Sequence, residues 1–118
     1  KEITLPASLT VIGSDSFNGC TALEKFNVPE SVKKINAGAF RYCSNLKEIT
    51  IPETVTYMGS GLTFANCTSL KKLKIPESVT VIGQQAFAGC SKDLTIVCKS
   101  GTIAETVALS YEYKIELE

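Results

Sequence analysis

Apolar and polar positions recur along this chain at a fixed interval. Successive prolines are separated by 23, 23 and 24 residues, and each is followed by the same order of residues. That order is an apolar pair three positions apart, a Gly or Asn, a Phe, and a Cys three positions after the Phe. A period in the twenties is typical of a solenoid, in which each unit stacks only on its neighbours. The prolines are Pro6, Pro29, Pro52 and Pro76.

Short strands are predicted in front of the prolines. In residues 46–51, the apolar Ile49 and Ile51 alternate with polar residues, and residues 23–28 and 70–75 have the same pattern. Proline then ends each strand, because it has no N–H to continue the hydrogen-bond ladder. Stacked at one period, these strands are expected to form a parallel sheet along one face of the coil.

The residues after each proline predict the rest of one turn. The apolar pair indicates a second short extended segment with inward side chains. We expect positive φ in the column that follows, because Gly and Asn tolerate the left-handed region. The Phe and Cys suit a single helical turn with both side chains inward, and the Phe column is expected to be the deepest part of the core. The Gly/Asn column is Gly13, Asn36, Gly59 and Gly83, and the Phe column is Phe17, Phe40, Phe64 and Phe87.

The third unit is one residue longer than the others, between Gly59 and Phe64. We expect Gly61 to absorb the extra residue as a local bulge on the outer face. A tolerated insertion is favoured over a loop placed for contact.

The end of the chain departs from the repeat. Thr102 and Glu105 have the spacing of a capping box. The predicted helix has one apolar stripe, formed by Ile103, Val107 and Tyr111 together with Ala104 and Ala108. Residues 113–117 alternate and indicate a closing strand. Because a solenoid has apolar ends that need a cover, residues 99–118 are expected to be the C-terminal cap and the natural end of the array. The other end opens in mid-unit, so we expect a longer protein and an uncovered N-terminal end that self-associates.

Four of the five cysteines occupy one repeat position, and Cys98 lies outside it. Stacked turns lie about 4.8 Å apart with parallel side-chain directions, whereas a disulfide needs facing Cβ atoms about 3.5–4.5 Å apart. We therefore predict free, buried thiols that act as small hydrophobes, not disulfides or a zinc site. The column is Cys20, Cys43, Cys67 and Cys90.

The charge balance excludes several functions. The chain has 12 basic and 12 acidic residues and no His. Neutrality argues against nucleic-acid binding, which needs a basic surface, and the lack of His removes the commonest general base and metal ligand. No catalytic residues or cofactor are predicted, so the chain is not expected to be an enzyme. No signal peptide or transmembrane segment is predicted in these residues either.

The run L-x-x-I-x-I-P-x-S-V-x-x-I-G-x-x-A-F-x-x-C is nearly complete in residues 46–64 and again in residues 70–90. It resembles the BspA-like, or Treponema pallidum-type, leucine-rich repeats. The resemblance implies a leucine-rich repeat solenoid of the α/β type, mostly β with short helical turns and a parallel sheet along one face. One domain, residues 1–118, would contain repeats at about 6–28, 29–51, 52–75 and 76–98 and the cap at 99–118. For function, the resemblance implies a secreted or surface-attached bacterial protein linked to adhesion.

Outward positions of the predicted strands form the candidate partner-binding face. We predict that a protein binds there, either host extracellular matrix or another bacterial surface protein; structural spacer repeats without a ligand are the alternative. The face has no aromatic residue, so either its affinity is modest or the main contact lies in further repeats. One column is Glu2, Lys25, Glu48 and Lys72, and the other is Thr4, Asn27, Thr50, Lys74 and Thr95.

Two charge clusters leave alternatives open. Lysines gather toward the C-terminal half and would attract a sulfated glycan or an acidic protein, although a solvated face is the favoured explanation. A column of Glu30, Glu53 and Glu77 does not supply the six to eight converging oxygens of a calcium site. The lysines are Lys47, Lys71, Lys72, Lys74 and Lys92.

Overall fold

Short strands stack into a coil of parallel turns. The computed structural model describes residues 5–118, in which nine strands and one helix are present. The predicted strand end at residues 1–4, with Glu2 and Thr4, lies outside the described residues. The elements are β1 (Val11–Ile12), β2 (Lys25–Asn27), β3 (Lys34–Ile35), β4 (Glu48–Thr50), β5 (Tyr57–Gly61), β6 (Lys72–Lys74), β7 (Val81–Gln84), β8 (Thr95–Cys98), α1 (Ile103–Ser110) and β9 (Lys114–Leu117).

The strands lie in two columns. In the first column, β2 pairs with β4, and β6, β8 and β9 form a ladder, all parallel; β4 lies beside β6. In the second column, β1, β3, β5 and β7 form a four-stranded parallel sheet. The repeat predicts the first column as a sheet, which is confirmed, but predicts only an extended segment for the second. A constant period places each extended segment about 4.8 Å from its equivalent in the next turn, so the second segment pairs as well.

The Phe-to-Cys segment closes each turn of the coil. Its backbone N–H groups donate to the next turn, Phe17 N to the Ala39 carbonyl at 2.8 Å and Phe40 N to the Thr63 carbonyl at 2.9 Å. Within one turn, Cys43 N donates to the Phe40 carbonyl at 3.2 Å, the three-residue spacing of a 3₁₀ turn. The predicted single turn is confirmed, and hydrogen bonds join it to its neighbours as they join the strands.

The repeated phenylalanines form one stack through the core. Successive ring centroids from Phe17 to Phe87 are 5.4, 5.5 and 5.7 Å apart, and neighbouring planes are tilted by 7° or less. Phe40, Phe64 and Phe87 are fully buried, as predicted, whereas Phe17 is only partly buried because no described ring covers its other face. Phe26 packs obliquely against Phe17, with centroids 5.1 Å apart. Offset parallel rings of this kind add attraction to the gain from burial.

The Gly/Asn column does not turn in the left-handed region as predicted. Gly59 has φ of +66°, but Gly13 and Asn36 do not have positive φ, and Gly83 lies inside β7. Positive φ occurs a few residues later in two further columns, in which both glycine and larger residues occur, so neither column consists of Gly and Asn alone. Hydrogen bonds from their own N–H groups to the next turn hold four of the non-glycine residues in this conformation, against a cost of roughly 1 kcal/mol each. These are Asp15, Tyr42, Leu62 and Asn66. The columns are Asp15, Gly38, Leu62 and Gln85, and Gly19, Tyr42, Asn66 and Gly89.

The predicted bulge lies in β5. Met58 is opposite Ile82 but Gly61 is opposite Gln84, so the register shifts between these pairs. The bulge is confirmed, but Gly59, with positive φ, is the left-handed residue within it and not Gly61. Gly59 is also needed for space, since a Cβ there would lie 3.1 Å from backbone atoms of the preceding turn.

Helix α1 follows the last complete turn. The Thr102 hydroxyl accepts from the Glu105 N–H at 3.4 Å, and Glu105 Oε1 accepts from the Gly101 N–H at 2.8 Å. The predicted capping box is confirmed, although the carboxylate reaches the residue before the N-cap. The predicted apolar stripe is wrong at Ile103, which is 42% exposed. The rest of the predicted stripe is confirmed: Ala104 and Ala108 are buried, Val107 and Tyr111 are partly buried, and the helix packs on β7, β8 and β9.

The closing strand β9 continues the first column by one more turn. Ile115 lies opposite Ile96 in parallel register, so the predicted strand is confirmed. Tyr111 and Tyr113 meet the Phe87 ring edge-on, with centroids 6.2 and 6.4 Å away. The aromatic stack therefore ends against this segment.

Candidate interaction surface

The outward side chains of the first strand column form a polar surface, which we call the strand face. Strands β2, β4 and β6 each bury their middle residue, for example Phe26 or Ile49, and expose the residues on both sides of it. All of the predicted residues belong to this surface, and all but the half-buried Thr95 are exposed. The strand face consists of Lys25, Asn27, Glu48, Thr50, Lys72, Lys74 and Thr95.

Thr95 lies in the other column of the strand face than predicted. β8 aligns Thr95 with Lys72, and it aligns Val97 with Lys74. The last unit has no proline after its strand, so the sequence carries no mark from which the register could be counted. The place beside Lys74 is therefore apolar, and Val97 is only 6% exposed.

Three of the five lysines in the predicted cluster lie against carboxylates. Lys72 Nζ is 3.1 Å from Glu116 Oε1, and Lys74 Nζ is 2.9 Å from Glu118 Oε2. The hydrogen bond to Glu118 raises the pKa of Lys74 above its ordinary value. Exposed pairs of this kind stabilise a fold only weakly, but they neutralise the cluster locally. Two further pairs are Lys71 with Asp93 at 3.9 Å and Lys99 with Glu77 at 3.0 Å.

The second sheet offers an outward row that the sequence reasoning missed. Val11, Lys34, Tyr57 and Val81 are aligned across four strands. Val11 and Val81 are 38% and 44% exposed, and Lys34 Nζ lies 5.9 Å from the Tyr57 ring centroid. The sequence does indicate this row, because each of its residues directly precedes an inward Ile or Met and therefore recurs at the same period. The residue type varies from one unit to the next, so the row does not appear as a motif.

The cysteine column is a hydrogen-bonded part of the core. All five cysteines are free; Cys43, Cys67 and Cys90 are buried as predicted, and Cys20 is partly buried. Each of these three buried thiols donates to the carbonyl of a Phe in the preceding turn at 3.1 Å. Burial raises the pKa of Cys43 and of Cys90 to about 11, and raises that of Cys67 further. These thiols stay protonated at neutral pH and are poor nucleophiles, because the thiolate is the reactive form.

Cys98 and the glutamate column form no metal site among the residues that the structure describes. Cys98 is buried in β8, opposite Leu117, and burial raises the pKa of its thiol. Glu77 is paired with Lys99. Within residues 5–118, no three His, Cys, Asp or Glu side chains come together as metal ligands would. No helix in the same range combines the length and apolar character needed to cross a bilayer.

Comparison with known proteins agrees with this architecture. A family model described as "BspA type Leucine rich repeat region" matches residues 1–116 with six copies. A leucine-rich repeat protein from Bacteroides ovatus is similar, with a TM-score of 0.73 and 40% identity over 80% of this chain and 24% of that one. The T. pallidum leucine-rich repeat protein TpLRR shares the fold, with a TM-score of 0.61 and 24% identity over 81% of this chain and 57% of that one. The chain thus spans about a quarter of the first protein's length and 57% of the second's. No curated protein matches. Because the family model covers nearly every residue, the chain belongs to the BspA-type leucine-rich repeat family.

Proposed function

We propose that the chain is a non-catalytic protein-binding module of a bacterial secreted or cell-surface protein, and that it binds through the strand face. Leucine-rich repeat proteins generally bind proteins, and the BspA-type family is commonly secreted or surface-located. The observation that carries the proposal is the in-register row of exposed polar side chains, with Lys25 opposite Glu48 and Asn27 opposite Thr50. The strand ladder fixes the spacing of these positions in advance, so binding does not have to order the backbone.

The composition of the strand face favours an extended partner with modest affinity for each turn. Its charges are mixed and it has no aromatic residue, although aromatic and Arg side chains dominate most binding hot spots. Affinity then depends on the number of turns that the partner contacts. A fibrous host matrix protein or a repetitive bacterial surface protein has the length for such a contact.

The test replaces small strand-face residues with bulky ones. Asn27→Arg with Thr50→Arg should reduce binding to immobilised matrix proteins at least tenfold, because two long side chains then rise from a flat contact surface. The matched control is Thr10→Arg with Thr80→Arg, which adds the same charge at exposed positions beside the second sheet. Equal binding by wild type and the strand-face variant, with both folded by thermal unfolding, would refute the proposal.

Lys72 and Lys74 are unsuitable for this test. Both pair with glutamates of the C-terminal strand, so reversal of their charge would also disturb that strand. A loss of binding would then have two explanations.

A structural spacer is the second candidate. The observation in its favour is that the strand face lacks aromatic residues and that two of its lysines already have intramolecular partners. Deletion of residues 29–51 removes one complete unit and distinguishes the candidates. A spacer stays folded and continues to present its attached domain, whereas a binding module loses affinity for its partner.

A further inference from the structure

Two glutamate side chains at the C-terminal end reach over β8 to the basic part of the strand face. Glu116 and Glu118 occupy alternate positions of an extended segment, as Lys72 and Lys74 do in β6. Each glutamate meets one lysine, at 3.1 and 2.9 Å. Two carboxylates with the two-residue spacing of a strand thus match two ammonium groups with the same spacing.

These ion pairs pass over the strand between them. β8 separates β6 from β9, so each pair crosses two strand intervals of about 4.8 Å. Val97 lies in the middle, aligned with Lys74 on one side and Glu116 on the other. Its 6% exposure contrasts with Asn27 and Thr50, which point outward from the same column and are exposed. The chain therefore covers its own strand face at this end.

We propose that Glu116 and Glu118 act as an internal pseudo-ligand, and that Lys72 and Lys74 recognise an extended partner segment with carboxylates on alternate residues. This inference rests on the proposed function and names the chemistry of the partner at one end of the strand face. The C-terminal strand competes with that partner for the two lysines.

The competition sets a threshold for binding. Exposed ion pairs are individually weak, so the glutamates can be displaced. Because they belong to the same chain, however, their effective concentration is high, commonly millimolar for a short tether. An acidic segment that contacts only the two lysines competes poorly. A partner that also contacts Thr50 and Asn27 on the earlier turns gains affinity that the internal strand cannot match.

The experiment removes the pseudo-ligand without changing its shape. Glu116→Gln with Glu118→Gln is compared with wild type for binding of a fluorescent peptide that alternates glutamate and serine, at low ionic strength. We expect the variant to bind roughly fivefold more tightly, the effect of removing two weak ion pairs. A peptide that alternates glutamine and serine should bind neither protein.

Two controls isolate the lysines. Glu24→Gln with Glu30→Gln changes the net charge by the same amount at exposed sites in an earlier unit and should gain nothing. Addition of Lys72→Gln and Lys74→Gln to the C-terminal variant should abolish the gain. The inference is overturned if no protein binds the acidic peptide, if both glutamate variants gain equally, or if the gain survives loss of the lysines.

Failure here is distinguishable from failure of the proposed function. If Asn27→Arg with Thr50→Arg weakens matrix binding but the glutamine variant binds the acidic peptide no more tightly than wild type does, only the pseudo-ligand proposal is wrong. If the strand-face variant binds matrix proteins as wild type does, while the glutamine variant binds the acidic peptide more tightly as expected, the proposed function fails and the recognition of carboxylates by the two lysines stands. Thermal unfolding of every variant verifies that the coil is intact.

Discussion

Tyr113 is the fourth donor in a row of hydrogen bonds to phenylalanine carbonyls in the core, after three cysteine thiols. The carbonyls of Phe17, Phe40 and Phe64 each accept a hydrogen bond from a cysteine of the next turn, 26 or 27 residues later. The Phe87 carbonyl accepts instead from the Tyr113 hydroxyl, 26 residues later, at 2.9 Å. Tyr113 is 7% exposed. Its substitution by Phe removes one hydrogen bond and keeps the ring that packs edge-on against Phe87.

The size of the effect follows from what the Phe87 carbonyl retains. It still accepts from Cys90 N at 3.1 Å, so it loses its second partner and not its only one. The cost should therefore lie at the low end for a buried group, about 1 kcal/mol. With an unfolding entropy of about 2.1 cal/mol/K per residue, a chain of 118 residues should lose about 4 °C in Tm.

The assay is thermal unfolding followed by circular dichroism, with Tyr42→Phe as the matched control. Tyr42 is 46% exposed, so loss of its hydroxyl should change stability by less than about 0.5 kcal/mol. Equal Tm values for Tyr113→Phe and wild type would show that the hydrogen bond from the Tyr113 hydroxyl to the Phe87 carbonyl does not stabilise the fold. A loss of more than about 3 kcal/mol would also refute this reasoning, because it would mean that the whole closing segment had been displaced.

Three further predictions test the core. Phe64→Ala should cost about 3–5 kcal/mol by chemical denaturation, because a ring with neighbours on both faces leaves a cavity; Phe17→Ala should cost clearly less, and equal losses would contradict the stack. Gly59→Ala should lower the free energy of unfolding by about 2 kcal/mol or more, because the residue has positive φ and a Cβ would contact the preceding turn. Gly13→Ala should lower it much less. A larger loss of Tm for Gly13→Ala than for Gly59→Ala would contradict this reasoning. Burial raises the pKa of the Cys43 thiol from 9.0 to about 11, so its contribution to the free energy of unfolding should be complete below pH 9 and fall by about 1.4 kcal/mol per pH unit as the pH rises toward 11. Cys43→Ser should make the free energy of unfolding depend less steeply on pH in this range. An unchanged pH dependence would exclude the thiol as its cause.

The repeat predicts those features that depend on the period alone. Phe, Cys and the inward strand residues recur in every unit, so stacking at one interval is enough to place them in the core. The left-handed positions were not predictable in this way. Backbone bonds between turns set them, and they accept residues as different as Asp15 and Leu62.

The strand face was predicted up to the point where the repeat ends. Lys25 and Asn27 are placed correctly, because a proline marks the register of their unit. Thr95 is displaced by one column, because its unit lacks that mark. The ion pair between Lys74 and Glu118 joins residues that belong to different kinds of segment, so no periodic signal connects them.

The C-terminal segment completes the coil on the inside through Tyr113 and covers the strand face on the outside through Glu116 and Glu118. The two contacts can be changed separately, and this distinguishes two ways in which an acidic partner reaches the lysines. If binding requires β9 to leave β8, linkage demands that Tyr113→Phe, which weakens docking, also tightens peptide binding by a similar factor. If only the two glutamate side chains move aside, β9 stays paired, and Tyr113→Phe leaves peptide affinity unchanged while the glutamine variant still gains. Because the exposed pairs are weak and the β8–β9 ladder runs over four residue pairs, we expect the second outcome.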